Sequence, residues 1–105
     1  MDEREFNTHA DAMLARIEQA LEGCVLELDF EIKQGGVIEV EFDNGSKLIV
    51  NRHTAAREIW VAAKSGGYHF KMAEPGRWLG TRDGVELLAA LSRCVSEQAG
   101  VTVAL

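Results

Sequence analysis

The chain has 105 residues, a length that suits one domain with a single hydrophobic core. Hydrophobic residues make up 47% and charged residues 27%, as in ordinary globular proteins, and no apolar run is long enough to cross a membrane. The net charge of −6 is unevenly spread: residues 1–43 hold 12 acidic and 3 basic side chains, whereas residues 44–105 hold 5 and 8. An acidic half repels phosphate backbones and attracts cations or basic protein surfaces, so we expect no nucleic-acid or membrane partner.

The N-terminus and the cysteines both indicate a cytoplasmic protein. Residues 1–5 are acidic and no apolar segment follows them, so neither a secretory signal nor a transit peptide is predicted. Cys24 and Cys94 lie far apart and form no C-x-x-C motif, and we expect both to be buried, reduced thiols.

Residues 3–22 are predicted to form an amphipathic helix. Asp2 can cap its first turn, with Glu5 as the reciprocal partner, and Gly23 suits a left-handed residue just past its end. The apolar side chains recur at helical spacing along one stripe. They are Phe6, Ala10, Met13, Leu14, Ile17 and Leu21.

Three carboxylates form a second stripe on the same helix. Asp11, Glu18 and Glu22 fall within about 40° of one another, a quarter-turn from the apolar stripe. They predict an acidic ridge along one side of the helix. Its simplest interpretation is a solvated surface that keeps the protein soluble.

Residues 25–33 alternate between apolar and polar side chains, which is the period of a half-buried strand. The apolar set, predicted to face inward, is Leu26, Leu28, Phe30 and Ile32; the outward set is Glu27, Asp29, Glu31 and Lys33. Three successive outward carboxylates therefore extend the acidic surface.

Residues 37–42 and 47–52 are predicted to be the second and third strands. The second would face the core with Ile38, Val40 and Phe42. A strict two-residue turn at Asn44-Gly45 would place Phe42 opposite Lys47, which conflicts with the alternation in both strands. We therefore expect a longer loop or a bulge, which lets Leu48 and Val50 face inward.

The next strands are predicted at residues 58–63 and 68–72, with a short sixth strand at Trp78-Leu79. Residues 53–57 connect the third strand to the fourth. In the fourth strand, alternation places Ile59 and Val61 toward the core and Trp60 on the opposite, open face. The alternative is that Trp60 is an ordinary core residue.

A second helix is predicted over residues 84–99, with Asp83 as its cap, Glu86 as the reciprocal partner and Gly100 at its end. The expected apolar stripe is Leu88, Leu91, Val95 and Ala99, flanked by Leu87 and Cys94. The apolar tail at residues 101–105 is expected to dock on the helices.

The order helix, five or six short strands, helix predicts an α+β fold over residues 1–105. Short connections make the sheet antiparallel. Two amphipathic helices and one-sided strands predict a two-layer sandwich with both helices on one face of the sheet.

The sequence contains no phosphate-binding loop, nucleophile motif or Cys/His zinc pattern. His9, His53 and His69 share no helical or strand spacing, so they are interpreted as surface residues, and a metal enzyme with a histidine cage is disfavoured. Trp78 is interpreted as structural.

A set of short segments, in order and at matching spacing, resembles the frataxin family, and most closely its bacterial members. The segments are Asn44-Gly45-Ser46-Lys47, Asn51-Arg52, Ile59-Trp60-Val61-Ala62, Gly66-Gly67-Tyr68-His69-Phe70 and Trp78. No single segment is specific, but together the resemblance covers essentially the whole chain. It implies the same sandwich fold.

The resemblance implies a non-enzymatic protein of iron–sulfur cluster assembly that acts as an iron donor or regulator. It implies weak binding of Fe²⁺ and Fe³⁺ and contacts with the cysteine desulfurase and the cluster scaffold protein. The implied metal-binding residues are Asp11, Glu18, Glu22, Glu27, Asp29 and Glu31. The implied partner-binding residues are Glu18, Glu22, Asp29, Asn51 and Trp60. We expect a monomer and leave iron-dependent oligomers open.

The sequence departs from the family pattern in three places. Residues 23–26 carry no carboxylate where bacterial members have a denser acidic run, Gln19 replaces a second acid, and His53 replaces a glutamine. The thinner ridge puts the number of bound iron ions in doubt. An alternative function is iron oxidation or storage, although a di-iron site needs Glu and His on facing helices and the second helix offers only Glu86 and Glu97. A scaffold without a metal role is a third alternative.

Overall fold

The structure, a computed structural model that describes residues 1–105, places two helices on one face of a six-stranded antiparallel sheet. The helices are α1 (Glu3–Gly23) and α2 (Leu87–Ala99). The strands are β1 (Asp29–Lys33), β2 (Val37–Glu41), β3 (Lys47–His53), β4 (Glu58–Ala63), β5 (Gly66–Glu74) and β6 (Arg77–Gly80). They lie side by side in chain order, which confirms the predicted sandwich. Neither helix is long and apolar enough to span a membrane.

The core lies between the helices and the inward face of the sheet. All six apolar residues predicted for α1 are buried, as are Ile38, Val40, Leu48, Val50, Ile59, Val61 and Phe70 of the strands. Trp78 is fully buried and meets the ring of Phe6 edge-on at a centroid distance of 6.0 Å. Burial of each large apolar side chain stabilises the fold by roughly 1.5–3 kcal/mol, so Trp78 is structural, as predicted.

The start of α1 is as predicted, but its end differs. The backbone N–H of Glu5 donates to Asp2 Oδ1 at 2.8 Å. The prediction of a left-handed Gly23 is wrong: Gly23 is the last helical residue, and Cys24 leaves the helix in an extended conformation. The Cys24 thiol then donates to the Leu26 carbonyl at 3.2 Å. Both cysteines are free thiols, but only Cys94 is buried, whereas Cys24 is half-buried.

Strand β1 begins at Asp29 rather than at residue 25, because β2 offers no partner beyond the Asp29–Glu41 pair. The side chain of Val25 is 87% exposed, while Leu26 and Leu28 still pack against the core. The expectation that Ile32 is an inward core residue is also wrong in part. Its side chain is 52% exposed, since β1 is an edge strand.

The β2–β3 connection is the longer loop that the alternation predicted. Residues 42–46 form it, with the Phe42 N–H donating to the Ser46 carbonyl at 2.9 Å and Gly45 at a φ of +83°. The loop pairs Glu41 with Lys47 and Val40 with Leu48. Ile38, Val40, Phe42, Leu48 and Val50 consequently face the core.

The β4–β5 hairpin is tighter than predicted. Its turn is Lys64-Ser65, and both glycines, Gly66 and Gly67, join the ladder opposite Ala63 and Ala62. Strand β5 therefore starts two residues earlier than predicted and runs to Glu74.

Helix α2 starts at Leu87, three residues later than predicted, and Asp83 is not its cap. Glu86 caps it, accepting from the N–H groups of Leu88 and Ala89 at 2.8 and 3.2 Å. Because Glu86 also forms a β-bridge with Leu79, the chain stays extended up to this point. The Asp83 carboxylate instead accepts from the Val85 N–H at 3.0 Å.

The buried face of α2 is rotated from the predicted stripe. It comprises Leu87, Ala90, Leu91, Cys94, Val95 and Gln98, whereas Leu88 and Ala99 are half-buried. Gly100 ends the helix, as predicted, and adopts the left-handed conformation. The C-terminal tail docks as expected: Val103 is buried, and Ser96 Oγ accepts from its N–H at 2.8 Å.

Candidate metal and partner-binding surfaces

The carboxylates predicted for the acidic surface lie partly along α1 and partly at β1, on the open face of the sheet. Asp11 of α1 pairs with Arg52 from the end of β3, with Nη2 and Oδ1 2.5 Å apart. The Arg52 guanidinium lies over Gly36, where any Cβ would come within 2.4 Å of Arg52 Nε. The positive φ of Gly36 favours glycine here, and a Cβ would in addition displace the end of the Arg52 side chain. The ion pair with Arg52 thus balances the charge of Asp11 and links α1 to the sheet.

Glu18 lies on one side of a cleft of about 250 Å³ between α1 and the β1–β2 turn. Asp11, Arg52 and Lys33 line the same cleft, along with the exposed Ile32, so its acidic and basic groups balance. Glu22 lies one turn further along α1 and is exposed. Neither Glu18 nor Glu22 forms an ion pair.

A denser carboxylate group lies on the open face of the sheet, at β1 and β2. The register sets Asp29 opposite Glu41 and Glu31 opposite Glu39. These four carboxylates line a concavity of about 320 Å³. Like charges directly opposite one another repel, so the site attracts cations. We call Asp29, Glu31, Glu39 and Glu41 the open-face carboxylates; Glu27 lies in a neighbouring cleft that it shares with Glu41.

Two lysines neutralise one of the open-face carboxylates. Lys33 Nζ lies 2.5 Å and Lys47 Nζ 2.9 Å from the Glu39 carboxylate. The hydrogen bond from Lys33, followed by that from Lys47, lowers the pKa of Glu39 to about 2. The same contacts raise the pKa of both lysines. Asp29, Glu31 and Glu41 have no ion-pair partner.

The arrangement is open rather than caged. No three His, Cys, Asp or Glu side chains are close enough together to hold a metal ion as a preformed site. The exposed donors are carboxylate oxygens, which are the ligands that hard cations prefer. Neither Glu39 nor Glu41 was among the metal-binding residues that the family resemblance implied. The signal for them was their outward alternation on the second strand, combined with the register opposite Asp29 and Glu31.

Trp60 lies on the open face, as the alternation predicts, but it is half-buried. The register sets Asn51 and His69 on either side of it. The indole stacks between two imidazoles: His53 at a centroid distance of 3.8 Å and His69 at 4.2 Å. We call His53, Trp60 and His69 the ring row. His69 is exposed, as interpreted, whereas His53 is half-buried, and the sheet brings both rings against Trp60, which their sequence spacing did not indicate.

The ring row is hydrogen-bonded to a buried acid, Glu58. Glu58 is 9% exposed, and its Oε1 accepts a hydrogen bond from the Trp60 indole N–H at 2.8 Å. His69 Nδ1 and Lys71 Nζ lie further from its carboxylate, at 3.6 and 3.8 Å. Sequence reasoning missed Glu58. The signal was its spacing of two from Trp60 on a strand, which places both side chains on one face.

Comparison with known proteins gives a consistent result. A family model described as a frataxin-like domain matches residues 1–101. The chain is 52% identical over 105 residues to the iron-sulfur cluster assembly protein CyaY of Dechloromonas aromatica, covering 100% of this chain and 99% of that protein. It is 48% identical over 108 residues to the protein of that name from Ralstonia nicotianae, covering 100% and 95%. A solved frataxin from Psychromonas ingrahamii superposes with a TM-score of 0.87 at 32% identity, covering 99% of this chain and 97% of that one.

Proposed function

Because the chain belongs to the frataxin family, we propose that it takes part in iron–sulfur cluster assembly, the process for which its relatives are named. We propose further that it acts as an iron-binding adaptor and regulator rather than as an enzyme. Its partners in this proposal are the cysteine desulfurase and the cluster scaffold protein, in the cytoplasm. The observation that carries the proposal is the set of carboxylates on α1, β1 and β2 that lack an ion-pair partner and are exposed or, for Glu18, half-buried.

Iron is the cargo in this proposal, and the donors suit it. Glu18, Glu22, Glu27, Asp29 and Glu31 offer carboxylate oxygens, and Glu41 adds one more. Because the donors are exposed and not caged, each ion would keep several water ligands and bind weakly. Asp11 is expected to contribute less than the other acids, since Arg52 already holds its carboxylate.

The same carboxylates support electrostatic docking on a basic partner. An exposed ion pair contributes only about 0–1 kcal/mol. Several acting together steer a partner of opposite charge, and salt weakens that steering. We propose that Glu18, Glu22 and Asp29 form the desulfurase contact, and that Asn51 and Trp60 form a separate scaffold contact on the open face.

The alternative of a buried ferroxidase centre gains no support from the interior. The buried residues include just two polar ones, Glu58 and Gln98. A di-iron centre needs several carboxylates and histidines that project between facing helices. Oxygen uptake during aerobic addition of Fe²⁺ distinguishes the two functions, because a binding adaptor consumes no oxygen beyond the uncatalysed rate.

Charge reversal tests the proposed desulfurase contact. We expect the combined change Glu18→Lys, Glu22→Lys and Asp29→Lys to abolish binding to the desulfurase in a titration at low salt. These side chains point away from the core, so the circular-dichroism spectrum should stay unchanged. The matched control reverses three exposed acids elsewhere, with Glu3→Lys, Glu5→Lys and Glu97→Lys giving the same net charge. Equal affinity for wild type and this triple-Lys variant, the ridge charge-reversal variant, would falsify Glu18, Glu22 and Asp29 as the docking surface.

A further inference from the structure

The ring row leaves Trp60 little free surface. The imidazole planes of His53 and His69 lie within 11° and 7° of the indole plane. The centroid distances of 3.8 and 4.2 Å are close to the spacing of neighbouring strands, about 4.7–4.9 Å. The three rings therefore stand side by side across β3, β4 and β5. Both faces of the indole are covered, and it presents an edge to the solvent.

The imidazole of His53 and the backbone of His69 are both held in place. His53 Nδ1 accepts a hydrogen bond at 3.3 Å from the N–H of Ala56, in the 3₁₀ helix at Thr54–Ala56 that follows β3. His69 lies in the ladder directly opposite Trp60, and its carbonyl accepts from the Thr81 N–H at 2.9 Å. The fold thus fixes the His53 ring and the position of the His69 backbone. What remains to be fixed is the orientation of the indole between them.

Glu58 supplies that constraint. A carboxylate is costly to bury unless it is paired and hydrogen-bonded. The indole N–H of Trp60 donates the one hydrogen bond that this side chain accepts, and His69 and Lys71 lie just beyond hydrogen-bonding distance. Glu58 and Trp60 are two residues apart on β4, so the bond closes a short ring that restricts both χ angles of the indole.

We infer that Glu58 is a positioning residue for Trp60. Its buried carboxylate holds the indole upright between His53 and His69, so that the open sheet presents a rigid ring edge to a docking protein. Pre-organisation of an aromatic anchor lowers the entropy lost on binding. This inference rests on the proposed function in one respect, namely that the scaffold protein docks on the face that carries Trp60.

The first experiment needs no partner. Glu58→Gln keeps an oxygen that can accept the indole N–H, whereas Glu58→Leu removes the acceptor at similar size. In ¹H–¹⁵N spectra, we expect the Trp60 indole resonance of Glu58→Gln to stay near its wild-type position. In Glu58→Leu it should move toward the position of a free indole, and its hydrogen exchange should accelerate about tenfold. An unchanged indole resonance and exchange rate in Glu58→Leu would overturn the inference.

Glu58→Val, a strand-favouring residue that also lacks an acceptor, serves as the second variant. Its expected indole shift and exchange are those of Glu58→Leu. If Glu58→Leu fails to fold, Glu58→Val decides the same question on the same readout. A wild-type-like indole in this variant would equally contradict the inference.

The second experiment uses the scaffold protein in a binding titration. Glu58→Leu should weaken binding about tenfold, and Glu58→Gln should restore it to within about twofold. In a Trp60→Ala background, Glu58→Leu should have no further effect, because Glu58 acts through the indole. An equal loss in that background would mean that Glu58 contacts the partner directly and is not a positioning residue. If wild type does not bind the scaffold, the proposed function fails, while the indole resonance still decides the role of Glu58.

Discussion

The open face of the sheet carries two regions that are built in opposite ways. At β1 and β2, the open-face carboxylates are mostly exposed, and all but Glu39 lack an ion-pair partner. At β3 to β5, the ring row is interlocked by stacking and by the buried Glu58. The comparison teaches that a single sheet can combine exposed, unpaired charges at one side with rigidly stacked rings at the other. In the proposed function the first region binds cations and the second docks a protein.

The largest expected effect is on the binding of the two proposed partners, the desulfurase and the scaffold protein. Trp60→Ala should leave desulfurase binding within about twofold of wild type and weaken scaffold binding about tenfold or more, since buried aromatic anchors dominate interfaces. The ridge charge-reversal variant should show the reverse pattern. Both partners are titrated against both variants at low and high salt. Loss of both contacts in either variant would break the distinction between the two regions.

The second-largest expected effect is on metal binding, which should affect the carboxylate region and leave the ring row unchanged. On addition of Fe²⁺, Mn²⁺ or Co²⁺, amide signals of residues 11–31 and of Glu41 should broaden before any others. Asp29→Asn combined with Glu31→Gln should weaken binding several-fold, because two hard oxygen ligands lose their charge. The matched control is Asp83→Asn, an exposed acid far from β1 in the chain. Broadening that begins at His53 or His69 would contradict the assignment.

Fluorescence quenching should give a smaller effect, confined to the ring row. In single-tryptophan variants, acrylamide should quench Trp60 and leave the fully buried Trp78 shielded. Because both faces of Trp60 are stacked, quenching should stay below that of a free indole, and His53→Ala should raise it about twofold by uncovering one face. A protected Trp60 beside an accessible Trp78 would overturn the placement of Trp60 on the open face.

The smallest expected effect is on stability at acidic pH. The pKa of Glu39 is lowered from 4.5 to about 2, so its ion pairs stabilise the fold above pH 4.5, and that contribution is lost as the pH falls toward 2. Glu39→Gln should therefore flatten the decline in stability over this interval, and added salt should do the same. Urea unfolding at pH 2 to 5 measures it; a curve for Glu39→Gln identical to that of wild type would contradict the role of Lys33 and Lys47.

The sequence determined most features that depend on periodicity within one element, although the buried face of α2 is rotated from the predicted stripe. The apolar stripe and the Asp2 cap of α1, the alternation in β2 to β4, and the end of α2 at Gly100 follow from local geometry, because residues three, four or two apart share a face. The ends of helices and strands were predicted less accurately. Gly23 and Asp83 have the residue types of caps, but the exit toward β1 and the Leu79–Glu86 bridge decided where the helices end and begin.

The tertiary structure alone decided which charged and aromatic groups meet. The five-residue β2–β3 loop fixed the register between β2 and β3, and the tight β4–β5 turn fixed the register between β4 and β5. The β3–β4 register brings His53, opposite Glu58, against one face of Trp60, and the β4–β5 register sets His69 opposite Trp60. The β1–β2 register places Glu41 opposite Asp29 and Glu39 opposite Glu31. A shift of one residue would send these side chains to the other face. Alternation told us which face each side chain occupies, but only the cross-strand register determines its neighbour.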